Sequence, residues 1–275
     1  MLESMTTSKH TPTLRSVAMP TEHGGWGLTL EPGILGVLLA PSVAGILLGI
    51  AALVAFLLRT PVRLVLLRHL RSGERQPTSM GLERTRLATR VALLELAVLG
   101  LALAGTAMLA GGLEWTLPLV VAAPLFAVAF WFDLRSASRQ LMPEIVGSVA
   151  LAAVAAMGAL AGGATWALAL GAWMILSARV FSSIPHVRAQ IGRIHAREAS
   201  PMPTLLGDLA ALATAALAVV LEPALLLGGL AIVGLVVIQH VTLARPPRPA
   251  KILGVRQMIL GFTVVGVTAI GSWLL

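Results

Sequence analysis

The chain contains no cysteine among its 275 residues, so a disulfide framework, a thiolate metal site and a cysteine nucleophile are all excluded. Charge is almost as scarce. Asp, Glu, Lys and Arg make up 12% of the residues against 57% apolar ones, and the mean hydropathy is +0.90. A soluble globule carries nearer a quarter charged residues, and this chain lacks the polar surface to be one. It reads as a polytopic membrane protein whose chemistry falls to His, acids and arginines. The formal net charge of +8 does not point to nucleic acid, because positive charge beside membrane spans is explained by their orientation.

Apolar runs of about 17–22 residues recur about nine times, at 26–40, 43–67, 88–109, 115–132, 143–161, 164–183, 204–221, 223–243 and 252–274. Pro41-Ser42 reads as a tight turn with Ser42 capping the helix that follows, and Gly111-Gly112, Gly162-Gly163 and Glu222-Pro223 make equally short connections. The remaining connections are longer and basic, and all 20 Lys and Arg fall on their side. The expected fold is an all-α transmembrane bundle of about nine helices with the N-terminus cytoplasmic and the C-terminus outside. Residues 1–19 read as a disordered cytoplasmic tail without the apolar core of a signal peptide, and 20–275 as a single transmembrane helical domain.

The stretch Pro20–Pro32, PTEHGGWGLTLEP, places Glu22, His23 and Glu31 where the tail meets the first apolar run. Ionisable groups at that depth must be paired, neutralised or hydrated, and they mark a candidate site. The other reading, in which His23 and Trp26 anchor the interface and Glu22 caps a helix, stays open. At the basic end of the second run Arg59 and Arg63 stand four residues apart on one helix face, suited to a phosphate or carboxylate, unless they snorkel. Glu144 follows Pro143 at a helix start, where the helix dipole favours a carboxylate, and leads into a small-residue face that lines a cavity or packs closely. Arg179, His186 and Arg188 gather at the end of the sixth run, where Pro185 is expected to bend or terminate the helix. Glu22, Glu31 and Glu144 are the counter-charges expected for the deep arginines.

PTEHGGWGLTLEPGILG, the Arg59–Arg63 end, the stretch RSASRQLMPEIVGS, RVFSSIPHVRAQIGR and KILGVRQMILGF together resemble the YwiC-like family of bacterial membrane proteins. That resemblance implies a multi-pass protein of the bacterial cytoplasmic membrane. More distantly, nine helices with long inner connections after the second and sixth are similar to the UbiA-type intramembrane prenyltransferases, which hold an isoprenoid diphosphate through magnesium on two Asp-rich motifs. The corresponding ends here, RTPVRLVLL and RVFSSIPHVRAQIGR, contain no acid, so magnesium is not expected and the cofactor is unknown.

Three readings result. In the first, a UbiA-like cavity takes an isoprenoid or other anionic lipid, with Arg59, Arg63, Arg179, His186, Arg188 and Glu31 binding and Glu22, His23 and Glu144 supplying acid or base character. In the second, the bundle binds or transports without chemistry. The third is haem or quinone binding through His23 and His186. Membrane lipids are the expected partners, and the oligomeric state is open.

Overall fold

The computed structural model describes residues 13–19, 25–70, 79–137, 139–196 and 200–275. They form α1 (Leu14–Ala18), α2 (Gly25–Leu39), α3 (Val43–Leu70), α4 (Ser79–Leu109), α5 (Thr116–Leu134), α6 (Leu141–Ala161), α7 (Trp166–Ile194), α8 (Met202–Leu221), α9 (Leu226–Leu243) and α10 (Ala250–Leu274), with a 3₁₀ turn, Pro223–Leu225, leading into α9. No strand occurs among the described residues. Lipid offers no partners to peptide groups, so an apolar run of this length satisfies its backbone within itself, as helix. Each apolar run has become one of α2–α10, and α3 to α10 are long and apolar enough to cross a membrane. α2, with 15 residues, rises about 22 Å at 1.5 Å per residue, short of the hydrocarbon thickness.

The short connections follow from their residues. Ser42 Oγ accepts the Gly45 N–H at 3.0 Å at the head of α3, and Thr165 Oγ1 accepts the Leu168 N–H at 3.2 Å at the head of α7. Gly163, at φ +88°, supplies the left-handed residue after α6.

Helix boundaries differ from the apolar runs in three places. α7 is not terminated by Pro185 but continues through it to Ile194. Proline deprives Phe181 O of its donor one turn back, and Gly207 of α8 lies directly against that carbonyl, where a Cβ would collide with it. α4 begins at Ser79, well ahead of its apolar run. Its basic first turns are rich in helix formers, and Thr85 and Thr89 return their hydroxyls to carbonyls one turn earlier at 2.9 and 3.0 Å. Ahead of the boundary drawn at Pro20, Leu14–Ala18 already form a helix that lies on α3 and α4 with Val17 buried.

α2 is the wedge of the bundle. Gly36 and Ala40 on α2 and its exit face Ala155, Gly158 and Gly162 on α6, so closely that a Cβ on Gly36 would stand 2.9 Å from Ala155 O and 3.1 Å from Gly158 Cα. On the α3 side a Cβ on Gly33 would meet Gly49 Cα at 3.0 Å. Small residues one turn apart let the helix backbones touch, which is how helices associate where the hydrophobic effect does not separate them from lipid. Trp273 Nε1 donates to Leu38 O at 3.0 Å and ties α10 to the same helix. α6 is buried over most of Ala150–Ala161, and α7 packs between α6 and α8. α4 packs chiefly on α3, whereas α5 packs on α6 and barely meets α3.

Charge divides cleanly between the two ends of the bundle. The connections 40–42, 110–115, 162–165 and Glu222 carry Glu114 and Glu222 but no Lys or Arg, while the opposite end carries the arginines of α3, α4 and α10, those in the last turns of α7, and Arg135 and Arg139 between α5 and α6.

Candidate functional site

The loose fit between the α3–α4 pair and the α5–α6 pair leaves a cavity of about 1720 Å³, closed behind by α2, α7 and α10. Its walls change character with depth. Arg59, Arg139, Glu144, Arg188 and Lys251 ring the basic end. His195 lies at that end as well; Thr29, Ser148, Arg179, Ser183 and Gln257 follow, and the remainder, through Phe56, Phe126 and Phe130 to Leu48, Leu103 and Met157, is apolar.

Arg59 and Arg63 share a face of α3 as their spacing requires, and both turn to Asp133 in the last turn of α5. Arg59 Nε donates to Asp133 Oδ2 at 2.8 Å, and Arg63 Nε lies 3.4 Å from Oδ1 and donates to the Asp133 carbonyl at 3.2 Å. Arg63 Nη2 also donates to Ser136 Oγ at 3.2 Å. Asp133 thus holds two guanidiniums at once, and of the two Arg59 lines the cavity.

Arg179 and Glu31 form the most secluded ion pair among the described residues, at 3% and 1% exposure. Arg179 Nη2 donates to Glu31 Oε1 and Nε stands beside Oε2, both at 2.8 Å, and Nη2 also reaches Gln257 O at 3.1 Å. The pair joins α2, α7 and α10. Arg179 lines the cavity but is already neutralised, so it contributes position and polarity there more than free charge. A third pair, Arg188 Nη1 to Glu144 Oε2 at 3.0 Å, links α6 and α7 at the mouth, where Arg188 also donates to Arg139 O at 2.7 Å. Glu31 and Glu144 are therefore counter-charges to Arg179 and Arg188, while among the described residues the carboxylate that Arg59 and Arg63 share is Asp133.

His186 stands apart from the other candidates. It is fully buried, pairs through Nε2 with Gln190 Nε2 at 2.9 Å and does not line the cavity. With Ser182 and Gln190 it forms the stripe of α7 next to that of Arg179, Ser183 and Val187, turned about 60–100° away from the cavity wall. That second stripe belongs to a polar layer. Ser182 Oγ lies 2.5 Å from Asp208 Oδ1 and 2.6 Å from Gln239 Oε1, Gln239 Nε2 lies 3.0 Å from Ser183 Oγ, and Asp208 Oδ2 lies 2.8 Å from His240 Nε2. Arg193 donates to Leu243 O at its rim.

Sequence reasoning missed Asp133, Ser182, Ser183 and Gln239. The signal available was a lone acid amid arginines for the first, and polar side chains inside otherwise apolar runs for the rest. It missed Glu95 as well, in the middle of α4, whose Oε2 is buried without a hydrogen-bond partner among the described residues. Glu22 and His23 lie outside the described residues. Among the described residues no group of three His, Asp or Glu side chains converges as metal ligands would.

A family model described as YwiC-like protein matches residues 19–157, a stretch that covers the short wedge helix, the two arginines of α3, Asp133 and Glu144. No curated protein and no solved structure matches the chain.

Proposed function

This chain belongs to the YwiC-like family of membrane proteins, and from that premise we propose that its cavity holds an amphiphile with an anionic headgroup, an isoprenoid phosphate or another anionic lipid, in the cytoplasmic membrane of a bacterium. The likeness to UbiA-type prenyltransferases belongs to this proposal, as does the placing of the basic end in the cytoplasm. The observation that carries it is the gradation of the cavity wall, cationic at one end and apolar over the remaining depth. Arg139 and Lys251 line the mouth without an ion pair among the described residues, and Arg59 presents a guanidinium held by Asp133 beside them. A guanidinium fork suits phosphate, and a volume above the usual range for small-molecule pockets leaves space for a chain. The pairing of Glu144 with Arg188 places a carboxylate at the mouth in reach of a headgroup.

Native mass spectrometry of the purified protein tests this reading. An anionic lipid should copurify, and farnesyl phosphate should rebind after delipidation with an affinity that a chelator leaves within about threefold. Arg59→Gln with Arg63→Gln should weaken that binding at least tenfold, about 1.4 kcal/mol. Absence of any retained lipid together with no farnesyl phosphate binding would overturn the proposal.

The orientation has its own check. Single cysteines at Gly111 and Glu222 should react in intact cells with an impermeant maleimide, and one at Ser200 only after permeabilisation. Labelling of the Ser200 variant in intact cells reverses the assignment.

A further inference from the structure

We propose that Ser183 faces the cavity as a hydrogen-bond acceptor, held in that role by the relay Asp208–Ser182–Gln239, and so selects a ligand with a hydrogen-bond donor beside its headgroup. The inference rests on the reading of the cavity as a lipid site and names one feature of what that site takes.

The argument is a count of protons. Asp208 has His240 Nε2 2.8 Å from Oδ2 and the Ser182 hydroxyl 2.5 Å from Oδ1. A carboxylate is an acceptor only, so the single hydrogen between Ser182 and Asp208 is the serine's own. With its proton committed, Ser182 can only accept from its second neighbour. That neighbour is the Gln239 carboxamide, whose Oε1 is placed 2.6 Å from Ser182 Oγ and whose Nε2 is placed 3.0 Å from Ser183 Oγ. Two acceptors cannot share a bond, and a half-turn of the carboxamide exchanges its oxygen and nitrogen with almost no change of shape. With Asp208 a carboxylate facing His240, the proton count selects the turned form, in which Nε2 donates to Ser182 and Oε1 accepts from Ser183, the carboxamide easing back from Ser182 by a few tenths of an ångström to reach an ordinary N–H···O length. The Ser183 proton is thereby drawn back toward α9, and the remaining lone pairs of Oγ are what the side chain offers elsewhere.

The position makes this consequential. Ser182, Ser183, Gln239 and Asp208 are all buried, so water does not scramble the direction of the chain. Ser183 lines the cavity one turn from Arg179 and five residues, about 7.5 Å along the helix, from Arg188. An acceptor at that level, beneath a cationic mouth, meets the part of an amphiphile that joins headgroup to chain.

Two probes isolate the effect: farnesyl 2-hydroxyethyl phosphate and farnesyl 2-methoxyethyl phosphate, equal in charge and chain and different in one donor. The full-length protein in lipid nanodiscs should bind the hydroxyethyl probe about three- to tenfold more tightly. Ser183→Ala should abolish the preference. Ser182→Ala should reduce it and Ser182→Thr should retain it, with the methoxyethyl probe bound within about twofold throughout. Equal binding of both probes by the unaltered protein, a comparison that needs no variant, overturns the relay and leaves the lipid site standing. Retention of the preference in Ser183→Ala also overturns it. If neither probe binds, the lipid-site reading fails first and this inference with it.

Discussion

Glu31→Gln should be among the most damaging single substitutions in this chain, lowering stability by about 3–5 kcal/mol in denaturant titrations of the detergent-solubilised protein. The reason is not the loss of an attraction but what it leaves behind. Glu31 holds Arg179 through two contacts of 2.8 Å at a point where neither side chain reaches solvent, and Gln would keep a hydrogen bond while stranding the guanidinium charge. Placing Met at 179 in the same chain as Leu at 31 removes both charges together and should recover most of the loss, since a buried ion pair replaced whole by apolar side chains is often neutral or better. The non-additivity is the decisive quantity: the double variant should lie well above the sum of the singles. A Glu31→Gln protein within about 1 kcal/mol of the parent would show that the pair is hydrated or already neutral.

Gly36→Val should prevent the bundle from closing. The atoms that a Cβ would meet, Ala155 O and Gly158 Cα at 2.9 and 3.1 Å, are backbone and cannot rotate aside. The first added carbon alone forces α2 away from α6 at a cost of about 1–3 kcal/mol, and branching adds to it. Gly100→Ala is the control, because nothing lies within 4 Å of its would-be Cβ, and the better helix propensity of Ala should leave the protein unchanged or slightly more stable. Thermal denaturation of both variants in the same detergent decides the matter. Parent-like melting of Gly36→Val would mean that α2 and α6 do not touch.

Much of the architecture was legible because lipid enforces a simple rule: a long apolar run becomes a helix, and basic residues collect at one end. Boundaries were less legible where that rule is silent. The first turns of α4 are polar and helical where they lie on α3 and α1, and α7 runs on through Pro185 at the level where Gly207 lets α8 close on the carbonyl it frees. The site was legible residue by residue but not pair by pair. Arg59 and Arg63 share a face from spacing alone, yet their carboxylate is 70 residues or more away on α5, a distance only the fold closes. Helical period separates Arg179, Ser183 and Val187 from Ser182, His186 and Gln190. It does not say which stripe meets the cavity, and His186 proved to lie on the other one.

The unequal attachment of α3 and α4 has a consequence for time as well as for shape. α4 rests on α3 and α1, and α3 meets the rest of the bundle mainly along α2 and α6. A hairpin joined along one flank has less to break than α6 or α7, which are buried nearly all round. Its swing about Pro41-Ser42 would part α3 from α2 and α6 and break the Arg59–Asp133 and Arg63–Asp133 pairs, while leaving both the Gly36–Gly158 seam and the Glu31–Arg179 pair intact. Hinge motions of this kind occupy microseconds to milliseconds. Under the proposed lipid reading, exchange of the occupant with the surrounding bilayer is expected to run on the hairpin's clock. The Gly33–Gly49 contact, where α3 is fastened to α2, would then set how long a guest stays without touching the guest at all.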